Sequence, residues 1–344
     1  MTRLGSALIA LGLALGLAGA GRDALDAWIA RTELPPVLAE TSVEILARDG
    51  TLLRAFPVED GRWRLAPGQV DPRLIAMLVA YEDRRFFSHP GVDPIALARA
   101  AAQAAWHGRV VSGGSTLTMQ VARLLENGGT GAWAGKLRQI RVALALERRL
   151  DKDRILALYL LHAPYGGNLE GVRAASLAWF GKDPRRLTPA EAALLVALPQ
   201  SPEARRPDRN AVAARAARDR VLNRMLGAGL LAEDEARVAA ATAVPRAMRP
   251  FPALAPHLAQ RVRTEAPEIL VHRTTLDARL QAEAERVLAA AMRAAPQSAS
   301  GAILVADHRT GEVLASVGSP DHTDTSRQGF VDMTRAMRSP GSTL

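Results

Sequence analysis

From Asp71 to about Val244 the chain offers one helix signal after another and few places for a strand. Asp71-Pro72 and Asp93-Pro94 each set a capping carboxylate before a proline at the first helical position, and Thr188-Pro189-Ala190-Glu191 spells a capping box. Leu74, Ile75, Leu78 and Val79 fall on one face of the first helix, as an amphipathic helix packed on a core requires. The middle of the chain is therefore expected to be a mostly α domain. No internal repeat is present.

The flanks differ. Val43 to Phe56, with Asp49-Gly50 at its centre, reads as a β-hairpin, and Leu34-Pro35-Pro36 as a connection before it. Prolines 245, 250, 252, 256 and 267 punctuate the far side, so a linker is expected over 245–270. Beyond it, Asp277 leads into a helical run from Leu280 to Met292. Ala302 to Ala306 and Glu312 to Val317 then read as two strands, the start of an α/β segment over 271–344.

At the other end, Arg3 precedes an uncharged run from Leu4 to Gly21, just long enough to span a bilayer. Residues 1–22 are expected to be a membrane anchor or, given Ala18-Gly19-Ala20, a cleaved signal; either way the rest of the chain is exported. The absence of cysteine excludes a disulfide framework and cysteine metal sites. A net charge of +9 favours an anionic partner without choosing one, and all but three of the 44 basic residues are arginines, partly a composition bias. No basic–aromatic interleaving suggests nucleic acid.

The segment most charged with chemistry runs from Glu82-Asp83-Arg84-Arg85-Phe86-Phe87-Ser88-His89-Pro90-Gly91 to Gly113-Gly114-Ser115-Thr116-Leu117-Thr118-Met119-Gln120. A carboxylate near a helix end, Glu82 or Asp83, is a candidate general base, although neighbouring Arg84 and Arg85 would also suit a solvated ion pair. His89-Pro90-Gly91 reads as a turn, which favours a structural histidine. Glycines before Ser115-Thr116 at a helix start form an anion cradle or an ordinary cap, and Arg123 two turns on adds charge.

These two motifs, in this order, resemble the first two signatures of glycosyltransferase family 51, the peptidoglycan polymerases of class A penicillin-binding proteins. Lys136 to Asp151 resembles the third, Lys152 to Leu160 with Gly166-Gly167 the fourth, and Ala192 to Pro202 the fifth. The Ala163-Pro164-Tyr165 turn and the Val331 to Arg335 run point to the 1C type within that family. The resemblance implies a lysozyme-like helical glycosyltransferase domain over about 40–230. It implies Glu82 as the catalytic base, with Asp83, Phe86, His89, Ser115, Thr116, Gln120, Arg123, Lys136 and Gln139 binding substrate or supporting the site. Gln139 stands where many members carry a second glutamate; an amide hydrogen-bonds but cannot act as acid or base.

The same resemblance implies lipid II and the nascent glycan strand as partners, the membrane as a third and other cell-wall synthesis proteins as further ones, with no nucleic acid. No cofactor is required and no metal ligand cluster is expected; a divalent cation (Mg or Mn) at the lipid diphosphate is the one metal it allows. It places the domain on the periplasmic side of the inner membrane, behind a single anchor. Ser339-Pro340-Gly341-Ser342 resembles the start of a transpeptidase nucleophile motif, making Ser342 a nucleophile without its lysine. A lysozyme-like glycan-cleaving enzyme and a non-catalytic scaffold are the competing readings.

Overall fold

A computed structural model describes residues 3–38, 40–107, 114–126, 133–296 and 299–337. It is mainly helical and divides into two compact units: Met1–Ala39 with Pro67–Gly167 and Pro184–Arg246, and Glu40–Ala66 with Asn168–Asp183 and Ala247–Leu344.

The first unit holds α1 (Arg3–Ala30), α2 (Pro72–Glu82), α3 (Pro94–His107), α4 (Leu117–Leu125), α5 (Trp133–Glu147), α6 (Lys152–His162), α8 (Pro189–Ala197), α9 (Ala211–Gly227) and α10 (Glu233–Ala241). The expected caps are in place: the Asp71 carboxylate accepts from the Arg73 amide, and Thr188 and Glu191 complete their box. From Ala192 to Pro199 every residue is buried, so α8 is the unit's central rod, with α2, α9 and α10 packed against it. Leu74, Met77 and Leu78 of α2 and Val221, Leu222 and Met225 of α9 are each at most 3% exposed. This packing fixes the end of α2, and with it Glu82.

The second unit is built on three small sheets. In the first, β1 (Val43–Leu46) pairs antiparallel with β2 (Leu52–Phe56), as the hairpin signal predicts, and parallel with β5 (Val271–Arg273). β3 (Trp63–Arg64) pairs with β4 (Leu169–Glu170) beside α7 (Val172–Phe180), and β6 (Ile303–Ala306) with β7 (Val313–Val317), against which α12 (Ala278–Ala291) packs. Glu44 is 1% exposed; burial raises its pKa, while its ion pair with Arg173 works the other way.

One expectation needs correction. The proline-marked stretch 245–270 is no extended linker: it contains α11 (Pro256–Glu265), whose Leu258 and Ala259 join a core with Ile45, Leu53 and Leu276. Pro256 sits at the helix's first turn, where it starts rather than breaks a helix. The anchor expected over 1–22 lies within α1, yet among the described residues no helix is long and apolar enough to cross a membrane.

Candidate functional site

Glu82 is the last residue of α2, and its two carboxylate oxygens are held separately. Oε2 accepts from Gln120 Nε2 on α4 at 3.0 Å; Oε1 accepts from Gln200 Nε2, just past α8, at 2.7 Å. Neither adjacent arginine pairs with it. Arg85 instead forks onto Asp93, which caps α3 by accepting from the Ala96 amide. The Arg85 guanidinium holds the Asp93 carboxyl down to about 2.

Asp83, next in sequence, turns inward. Its side chain is 4% exposed and that of His89 3%. Asp83 accepts from His89 Nε2 at 3.0 Å and from the Leu117 amide at 2.9 Å, while the Gly91 amide donates to His89 Nδ1. With Nδ1 accepting, Nε2 carries the proton, so the imidazole is the neutral Nε2–H tautomer. Thr116 closes the same knot. Its hydroxyl donates to the Gly91 carbonyl and accepts from the Met119 amide, capping α4. Beneath it Lys152 bonds the His89 carbonyl and Glu147, and lies over the fully buried Phe86 ring at 4.5 Å. Phe86 and His89 therefore support the site from below rather than line it.

Two clefts open from Glu82. The larger, about 800 Å³, is lined by Tyr81, Arg84, Arg99, Thr116 and Arg224 among others; the smaller, about 320 Å³, by Met119, Arg123, Lys136, Gln139 and Pro199. Glu82, Ser115, Gln120 and Gln200 border both. In the smaller cleft Lys136 Nζ donates to Ser115 Oγ and, at 3.4 Å, to Gln139 Oε1. Burial, and secondarily the Arg123 guanidinium, lower the Lys136 pKa. Two cations facing one small cleft make it a site for an anion.

The predicted residues Glu82, Ser115, Thr116, Gln120, Arg123, Lys136 and Gln139 thus come together around one carboxylate, with Asp83 directly beneath. Ser342 lies outside the described residues. Sequence reasoning missed Gln200, Arg205 and, in the larger cleft, Arg99 and Arg224. Gln200 follows an unbroken apolar run, and a polar side chain in that position was the available signal. Among the described residues no group of three or more His, Asp or Glu could hold a metal ion. Apart from the Glu82 carboxylate, the smaller cleft is lined by an ammonium, a guanidinium, a hydroxyl and amides, a set suited to an anion.

The transglycosylase family profile matches residues 49–226. Penicillin-binding protein 1C of Escherichia coli is 44% identical over 93% of this chain and 42% of its own length; penicillin-binding protein 1A of the same organism is 34% identical over 67% of this chain and 27% of its own. The chain thus spans less than half of either relative. The crystal structure of penicillin-binding protein 1A from Haemophilus influenzae aligns over 82% of this chain and 39% of that one at 18% identity and a TM-score of 0.35, too low to bear on the fold. A match over more than half of the chain, in a range that includes the residues around Glu82, makes this chain a member of the transglycosylase family, glycosyltransferase family 51 of the class A penicillin-binding proteins.

Proposed function

We propose that the chain polymerises lipid II into β-1,4-linked glycan strands. The observation that carries this reading is the position of Glu82 at the junction of two clefts, one of them cationic. A transfer between two lipid-linked sugars needs a base between an acceptor and a donor, and cations where the donor's diphosphate departs. The acceptor's 4-hydroxyl gives its proton to Glu82 as its oxygen attacks the donor's anomeric carbon. The carbon–oxygen bond to the diphosphate breaks with inversion, and undecaprenyl diphosphate leaves. Lys136, Arg123 and Ser115 stabilise the charge that develops on the leaving group.

In this reading the helical unit has a lysozyme-like fold, and the segment from 271 is the incomplete start of a transpeptidase domain, with Ser342 as a nucleophile without its lysine. The catalytic unit works on the periplasmic face of the inner membrane, brought there by the apolar N-terminal run. No cofactor is needed, and cell-wall synthesis proteins are its partners.

The test is polymerisation of labelled lipid II in detergent by the purified chain and by Glu82→Gln. Strand synthesis by the parent, reduced at least about a hundredfold in the variant, is expected. Lipid II binding without synthesis by the parent would instead favour a scaffold, and sugar release from finished peptidoglycan would favour a hydrolase.

A further inference from the structure

The two amides that hold Glu82 are not equivalent. Gln200 donates through Nε2 to Glu82 Oε1, and its own Oε1 accepts from Arg205 Nη1 at 3.1 Å. A guanidinium can only donate and a carboxylate can only accept, so Gln200 between them has one allowed orientation. Arg205 is itself anchored, Nη1 donating to the Ala197 carbonyl at the end of α8 at 2.6 Å. Gln120 has no such lock: it donates to Glu82 Oε2, and its Oε1 has no partner among the described residues. One amide is therefore fixed as a donor, and the other is free to turn over.

We propose, resting on the polymerase reading above, that Arg205 is a positioning residue that directs the acceptor's proton to Oε2 of Glu82. When the 4-hydroxyl O–H bond breaks, its electron pair forms the new bond to the anomeric carbon, and the anomeric carbon–oxygen bond releases its pair to the diphosphate. The proton must settle on one carboxylate oxygen. On Oε2 the new O–H finds an acceptor, because Gln120 turns its carbonyl toward it, while Oε1 keeps the donor it already has. On Oε1 the new O–H would face the N–H of an amide that Arg205 prevents from turning. Arg205 touches neither substrate nor proton; it acts through Gln200.

A double-mutant cycle tests this, with steady-state polymerisation of lipid II by the full chain as readout. Arg205→Met is expected to lower kcat about tenfold and leave KM within about twofold, since only the transition state senses where the proton goes. Arg205→Lys, which still only donates, should restore kcat to within about threefold of the parent. In the Gln200→Ala background, Arg205→Met should cost less than about twofold, because its route of action is gone. Losses that multiply in the double variant, a failure of lysine to rescue, or an effect confined to KM or to the melting temperature would each make Arg205 a structural brace of the Ala197 carbonyl and overturn the proposal. A parent chain that makes no strands would remove the polymerase reading and this one with it, whereas an active parent with multiplying losses would sink this one alone.

Discussion

Lys136 is under two influences that act in the same direction. Burial and, secondarily, Arg123 both favour its neutral form, so its pKa lies below the ordinary lysine value. Anion binding that depends on its charge is complete below that pKa and fades as pH rises through it. We expect the KM for lipid II to climb on the alkaline side earlier than an ordinary lysine would cause. Arg123→Gln should move that limb to higher pH by the smaller part of the shift, burial being the larger cause. Gln139→Glu should move it the same way, since Gln139 Oε1 lies 3.4 Å from Lys136 Nζ and a carboxylate there favours the ammonium. KM measured against pH for the three chains checks both; a limb that stays put in both variants would mean that Lys136 does not bind the anion. At this scale the sequence was informative where a motif is local, as with Glu82 and Thr116. It singled out neither Gln200, which reaches Glu82 from 118 residues away in the chain, nor Arg205 behind it; both look like helix-end polar residues until folding is known.

Among the elements, α3 and α4 each start on a side chain that also serves the site, and these starts can be weighed separately. Thr116→Val removes the cap of α4 and the bond to the Gly91 carbonyl, and should cost about 1–2 kcal/mol, read by denaturant unfolding. A loss below about 0.3 kcal/mol would mean that solvent replaces the cap. The start of α3 depends on Asp93, whose pKa of about 2 lies below the unfolded value. A depressed carboxylate adds stability above its unfolded pKa, and that stability disappears as pH falls through the folded value. Arg85→Ala should therefore lower the melting temperature at pH 6, with the difference from the parent shrinking below pH 4 and closing near pH 2. A gap independent of pH would point to lost packing instead of the ion pair. Capping signals made most of these helix starts legible in the sequence, because a cap is decided by three or four neighbouring residues. The proline-rich stretch misled for the same local reason: proline marks a helix start as readily as a break, and only packing of Leu258 on Ile45 and Leu276 decides which.

Over the whole molecule, the division into two units was the least legible feature. The motif-bearing stretch suggested one domain over about 40–230, but segments 40–66 and 168–183 cluster with the residues after 246. Nothing in the hairpin's own sequence names its third strand. A chain ending at Arg246 would keep the helices that surround Glu82 but lose β5 and α11. The amides of Val43 to Leu46 should then exchange with solvent much faster than in the longer chain, as hydrogen-exchange mass spectrometry would report. Unchanged protection there would show that the hairpin stands alone. The parallel pairing of β1 with β5 also has a consequence in time. A ribosome or export channel that delivers the chain from its N-terminus releases Val43–Leu46 long before Val271–Arg273. For that whole interval the edge of β1 that β5 will cover has no partner, so the second unit is finished last, and anything that stalls delivery before residue 273 leaves a sticky strand edge open.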